Sequence, residues 1–208
     1  MVDKYQPDQN NINHLDKEAT RLGMGGNLSP EVDENLYKKR MQKRKEIQLE
    51  RVKERNLEKG LVIVFTGNGK GKTTAALGMG LRTLGHGYKV AIIQFIKGAW
   101  TTGEQKAFEK FSNNIEWKSL GAGFTWETQN RNQDQFLVNK AWELAKECIK
   151  NESYKLVILD EINIAIKLGY INTEEIIIFL KDLNMNKNLC HVVLTGRGAS
   201  KEIIEFAD

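Results

Sequence analysis

The apolar positions of this chain fall into two regimes. From Ser29 to about residue 57 they are sparse: Val32, Leu36, Tyr37, Met41, Ile47, Leu49 and Val52 are scattered among strong helix formers. That stripe is too thin to bury in a core. Beyond Gly60 the apolar residues come in short dense runs. The runs at 61–65, 89–95, 155–161 and 190–194 predict strands, and the near-continuous one at 89–95 is of the kind buried on both faces of a parallel sheet. The alternation at 115–120 predicts a further strand. Between the runs the spacing turns helical. Helices are predicted over 73–85, 104–111, 134–151 and 172–183, with a last one from about Ser200. The core face of 134–151 is read as Phe136, Leu137, Ala141, Leu144, Ala145 and Cys148. Strands alternating with helices predict a three-layer α/β domain with a mostly parallel sheet over 60–208.

The segment before it divides in two. Residues 1–28 are polar, rich in Asn, Asp and Gly, and hold neither period; they are expected to be a disordered extension. Ser29-Pro30-Glu31 is a helix start, with Ser as N-cap and Pro at the first helical position. A helical arm is predicted over 29–59, with Glu46, Glu50, Glu54 and Glu58 at four-residue spacing among Lys and Arg.

Charge sharpens this division. The chain carries +4 overall, yet residues 38–59 alone carry +6, so the remainder sums to −2. The basic character belongs to the arm. A solvated helix, a helix reaching a partner subunit or an anionic ligand, and a nucleic-acid contact all remain open for it. Among its cations only Tyr37 supplies an aromatic ring, which argues against stacking on single strands and makes nucleic acid an unlikely partner. With a mean hydropathy of −0.48, the longest apolar stretches, such as 176–180, are far too short to span a bilayer. The N-terminus lacks an apolar leader core. Two cysteines, Cys148 and Cys190, give no disulfide framework or metal-ligand spacing. A cytoplasmic setting is expected. His14, His86 and His191 show no ligand or triad spacing and read as structural or surface residues.

The candidate chemistry centres on Thr66-Gly67-Asn68-Gly69-Lys70-Gly71-Lys72-Thr73-Thr74. It follows a predicted strand and opens a predicted helix, the context a phosphate-cradling loop needs. Its glycines let backbone N–H groups turn inward, and the helix N-terminus adds attraction for anions. Lys72 is placed to reach phosphate and Thr73 to offer its hydroxyl to Mg²⁺. The first position departs from the usual G-x-x-x-x-G-K-[ST] pattern: Thr66 stands where Gly is common. Downstream, Leu159-Asp160-Glu161 puts two carboxylates at a strand's C-terminal end, suited to hold Mg²⁺ directly or through water. Arg197, in Thr195-Gly196-Arg197-Gly198, falls at the end of another strand, suited either to a phosphate or simply to a turn. An Asn-Lys-x-Asp guanine signature is missing, which favours ATP over GTP. Gly123-Phe124-Thr125-Trp126 is an aromatic loop set in glycines; it packs on the domain's own core or meets a large flat ligand.

Together these pieces resemble one family. From about residue 36 onward the chain is similar to the P-loop type of ATP:corrinoid adenosyltransferase. The residues that carry this are Arg40-Met41-Gln42-Lys43-Arg44-Lys45, the 66–74 loop, Gln94-Phe95-Ile96-Lys97-Gly98, Gly123-Phe124-Thr125-Trp126, Leu159-Asp160-Glu161 and Leu194-Thr195-Gly196-Arg197-Gly198. In that family a Thr at the loop's first position is ordinary. The resemblance implies a P-loop, RecA-like domain that transfers the 5′-deoxyadenosyl group of ATP to the Co(I) of a reduced corrinoid such as cobalamin, releasing triphosphate, in adenosylcobalamin synthesis or salvage. It implies catalytic roles for Lys72, Phe124, Trp126 and Glu161. Thr66 to Thr74 and Arg197 would bind the nucleotide, and Thr73, Asp160 and Glu161 would lie at the Mg²⁺. Phe124 and Trp126 would press on the lower face of the corrin. It also implies a homodimer in which the arm closes over the neighbouring subunit's corrinoid site, and a reduced flavoprotein as electron donor. Members usually continue past the Glu205-Phe206-Ala207-Asp208 equivalent with another strand, whereas this sequence stops at Asp208, so an exposed sheet edge is expected. A P-loop ATPase or small-molecule kinase is the alternative enzyme, and a nucleic-acid-binding module using the arm a lesser one.

Overall fold

The computed structural model describes residues 34–54, 58–96, 101–111, 113–120, 130–183 and 189–208. The chain separates into two units, residues 1–57 and 58–208. In the first, helix α1 spans Glu34–Glu54 and buries none of its residues, as its thin apolar stripe requires. The predicted helix start at 29–31 lies outside the described residues.

The second unit is built on a five-stranded sheet. Its strands are β1 (Val62–Phe65), β2 (Lys89–Gln94), β3 (Ile115–Ser119), β4 (Tyr154–Asp160) and β5 (His191–Thr195). Their spatial order is β1-β5-β4-β2-β3, and every pairing is parallel. Parallel pairing demands crossovers, supplied by α2 (Lys72–Gly85), α3 (Gly103–Phe108), α4 (Arg131–Lys150), α5 (Ile162–Lys167) and α6 (Thr173–Asp182); α7 (Lys201–Phe206) follows β5. The predicted strands and long helices are all present. The short helix α5, directly after β4, was not foreseen, because its apolar residues run on from the strand without a change of period that sequence could show.

Side-chain alternation along the strands divides the core in two. One face carries Val62, Ala91, Ile93, Val157, Leu159, Val192 and Leu194, packed with Ala141, Trp142 and Ile149 of α4, Leu180 of α6 and Ile203 of α7. The other carries Val90, Ile92, Leu156, Ile158 and Val193, packed with Ala76, Leu77 and Leu84 of α2 and Phe108 of α3. Helices on both faces make the three layers. Along α4 the buried stripe is Asp134, Val138, Ala141, Trp142, Ala145, Cys148 and Ile149. Phe136, expected in that stripe, is 66% exposed. It stands two residues from Val138, roughly 200° around a helix of about 3.6 residues per turn. β1 is an edge strand; Asp208 meets it, donating its N–H to Val62 O at 3.0 Å and accepting from Val62 N on Oδ2 at 2.9 Å.

His191 and the two cysteines are structural. His191 accepts from the N–H of Leu61 on Nδ1 at 3.1 Å, and burial with the nearby Lys155 charge lowers its pKa. Burial, above all, pushes the Cys148 thiol up to about 11 and the Cys190 thiol up to about 12, so both are inert thiols at neutral pH.

Candidate active site

The C-terminal ends of β1, β5 and β4 lie side by side and bring the 66–74 loop, Asp160, Glu161 and Arg197 to one end of the sheet, where open α/β sheets bind ligands. From β1 the chain turns through 66–71 into α2. Gly71 is the N-cap at φ 98°, a left-handed backbone that favours glycine. It carries no side chain to cap the helix, so the first N–H groups of α2 face the loop without a side-chain partner. Lys72 folds back, donating from Nζ to Gly67 O at 2.9 Å and to Gly69 O. Its ammonium thus lies against the loop that sequence assigned to phosphate.

Thr73, one residue on, reaches β4. Its hydroxyl donates to Asp160 Oδ1 at 2.9 Å. Asp160 is only 1% exposed, and a carboxylate so deeply placed needs donors. It has them: Thr195 Oγ1 donates to Oδ1 at 2.8 Å, and Gln94 Nε2 donates to Oδ2 at 3.0 Å. The strand register explains the convergence. Ser119, Gln94 and Asp160 are paired in one row across β3, β2 and β4, with Thr195 following the Leu194–Leu159 pair on β5. All four continue the face that α2 covers, so where the apolar rows end a polar row begins.

Glu161 is not in the strand. It sits at φ 62°, ψ 21° as the N-cap of α5, the sole non-glycine with positive φ among the described residues. The conformation costs of order 1 kcal/mol for a residue with a side chain. It is held by its own N–H, which donates to Thr195 Oγ1 at 2.9 Å. Thr195 therefore serves both acids, accepting from one residue's backbone and donating to the other's carboxylate. After Thr195 the turn runs through buried Gly196 to exposed Arg197. The turn returns to the phosphate loop: Ala199 donates its N–H to Thr66 Oγ1 at 3.1 Å. Thr66, the departure from the usual pattern, thus ties the loop to the segment that carries Arg197, which glycine there could not do.

Two of the functional residues stand in motifs quoted for the resemblance without being assigned a role there. Thr195 and Gln94 belong to no general nucleotide signature, yet both donate to the Asp160 carboxylate beside Thr73. Beyond its place in the Gln94-Phe95-Ile96-Lys97-Gly98 segment, Gln94 had a second sequence signal, a polar side chain inside the otherwise apolar 90–95 run. Phe124 and Trp126, and with them Lys97 and Gly98, lie outside the described residues.

The donor set fits a hard cation. Thr73 spends its one hydroxyl proton on Asp160, which leaves its oxygen lone pairs for a metal. Among the described residues no group of three or more His, Cys, Asp or Glu gathers into a cage. Mg²⁺ is characteristically held by one or two protein oxygens together with substrate phosphates and water.

Comparison with known proteins bears on the reaction. Residues 58–208 match the family described as ATP:corrinoid adenosyltransferase BtuR/CobO/CobP. A corrinoid adenosyltransferase of a Sinorhizobium species is 46% identical over 186 residues, covering 89% of this chain and 86% of that protein. The Pseudomonas aeruginosa corrinoid adenosyltransferase is 42% identical over 182 residues, covering 88% of each. That of Salmonella typhimurium is 39% identical over 177 residues, covering 85% of this chain and 88% of its own. Among solved structures, the flagellar accessory protein FlaH from Methanocaldococcus jannaschii is similar in fold, with a TM-score of 0.51 at 14% identity over 73% of this chain and 70% of that one.

Proposed function

The chain belongs to the ATP:corrinoid adenosyltransferase family, enzymes that adenosylate corrinoids with ATP, and on that premise we propose how its own residues carry the reaction. The observation that carries the proposal is the Thr73–Asp160–Thr195 junction at the foot of the glycine loop. There the loop N–H groups, Lys72 and the start of α2 bind the triphosphate of ATP. The Thr73 hydroxyl and the Asp160 and Glu161 carboxylates, directly or through water, would hold Mg²⁺, which would offset charge on that triphosphate. Arg197, carried by the turn that the Ala199–Thr66 bond ties to the loop, adds a further cation for the triphosphate.

In the reaction the Co(I) electron pair of the corrinoid substrate forms a bond to the ribose C5′. The C5′–O5′ bond breaks, and its pair leaves on the triphosphate. No proton is exchanged, so the chain's residues have no general base to supply. Their work is to hold C5′ against cobalt, stabilise the charge that grows on the leaving oxygens and exclude water. Phe124 and Trp126 press on the lower face of the corrin, where displacing the axial ligand eases reduction to Co(I). The proposal extends to a homodimer, a reduced flavoprotein as electron donor and a cytoplasmic setting. No described helix is long and apolar enough to cross a membrane.

The test is the product of ATP in the presence of a chemically reduced corrinoid. Triphosphate together with a new Co–C absorbance band is expected. ADP and phosphate would overturn the proposal in favour of an ATPase or kinase.

A further inference from the structure

A polar side chain at the centre of the sheet is unaccounted for by phosphate binding. Gln94 ends β2, is 3% exposed and lies between apolar layers. Both ends of its amide are engaged. Nε2 donates to Asp160 Oδ2 at 3.0 Å, while Oε1 accepts from Trp117 Nε1 at 3.1 Å and from Ser119 Oγ at 2.7 Å. The chemistry of the neighbours fixes which end of the amide is which. An indole N–H can only donate and an ionised carboxylate can only accept, so a flipped amide would face donor to donor and acceptor to acceptor. The Trp117 ring is itself set edge-to-face on Phe108, with centroids 5.6 Å apart. The amide is therefore locked from the β3 side and presents one N–H to Asp160.

We propose that Gln94 is a positioning residue for Mg·ATP. By holding Oδ2 of Asp160, it leaves Oδ1 turned to the Thr73 and Thr195 hydroxyls and so orients the Thr73 oxygen for the cation. Trp117 and Ser119 act one step further out, through Gln94. This rests on the reading that Thr73 and Asp160 flank Mg²⁺. It differs from a mere packing role in one measurable respect: Gln94 matters to ATP only when the metal is present.

The experiment is equilibrium binding of ATP to the full chain, by calorimetry, with Mg²⁺ and then with EDTA. The variants are Gln94→Met, which keeps length and bulk but removes both halves of the amide, and the Trp117→Phe/Ser119→Ala pair, which frees Oε1 while leaving Gln94 in place. Gln94→Met is expected to weaken ATP binding about tenfold with Mg²⁺, the weight of one hydrogen bond to a charged group, and to leave binding in EDTA within about twofold. Each outer substitution alone is expected to cost less than about threefold, because one donor still anchors the amide, while the pair together approaches Gln94→Met. Equal weakening with and without Mg²⁺, or none in either variant set, overturns the proposal. If Gln94→Met does not fold, the outer pair decides on the same criterion. If the wild-type protein itself binds ATP no better with Mg²⁺ than with EDTA, the metal reading fails first, and the proposal with it.

Discussion

Gly196→Ala tests whether the β5 turn is as tightly built as its geometry states. Gly196 has φ 127°, outside what a residue with a Cβ adopts comfortably. An added Cβ would stand 3.0 Å from Asn163 Cβ, 3.2 Å from Glu161 Oε2 and 3.2 Å from the Ile164 nitrogen. Two of these are fixed by α5 and cannot swing away. The backbone conformation costs about 1–3 kcal/mol and the overpacking about 1–3 kcal/mol more, so about 4 kcal/mol is lost in all. For a chain of this size that lowers the melting temperature by about 10 °C. The third contact, on Glu161, adds a functional consequence: relieving it moves the carboxylate or the Arg197 turn, so turnover falls further than the fraction unfolded accounts for. Gly198→Ala is the control. Its φ is 69° and its nearest neighbour, at 3.2 Å, is Cδ of the flexible Lys167 side chain, so only the left-handed penalty of about 1–2 kcal/mol applies. Thermal unfolding followed by circular dichroism, with turnover measured below the transition, separates the two. A Gly196→Ala melting temperature within about 2 °C of wild type, less than 1 kcal/mol should produce, would refute the reasoning.

Three further outcomes are expected. Lys72→Ala should raise the ATP dissociation constant at least about tenfold, since a charge-assisted contact is worth ~1.5–3 kcal/mol; unchanged binding in a titration would remove the loop from the site. Phe124→Ala with Trp126→Ala should leave ATP binding intact and cut turnover, most of all when Co(II) must be reduced in place; a double variant that fails to fold would assign those rings to the core instead. His191, kept neutral in the fold by burial and Lys155 with its pKa below the ordinary 6.5, should contribute its stability fully above about pH 6.5 and lose it as pH falls below that, because the unfolded chain takes up the proton first. Urea unfolding across that range should show the slope, and His191→Gln should flatten it.

Much of this was legible in the sequence, for identifiable reasons. The strands after Gly60 are dense apolar runs bounded by loops, so their existence and parallel arrangement followed from pattern alone. Lys72, Thr73 and Asp160 carry motif spacing that chemistry explains. What sequence could not show was the register. Pairing Gln94 with Asp160 and Ser119 shows what the lone polar residue in β2 does at the site. Likewise Thr195 looks like an ordinary strand end until its hydroxyl is seen shared between Asp160 and the Glu161 backbone. Glu161 itself reads as strand by its neighbours, and only its positive φ shows that it turns the chain into α5. Phe136 was misplaced because the true α4 stripe includes a charged residue, Asp134, whose carboxylate meets the Tyr170 hydroxyl at 3.4 Å.

The central claim is that attack falls on the ribose C5′ and not on phosphorus. ATP carrying heavy oxygen at the bridge between C5′ and the α-phosphorus tests it directly, with mass spectrometry of both products after turnover on a reduced corrinoid. Attack at C5′ sends the label entirely into triphosphate and leaves none on the adenosylated corrinoid. Label retained on a nucleoside or nucleotide product, with a phosphorus–oxygen bond broken instead, would contradict it.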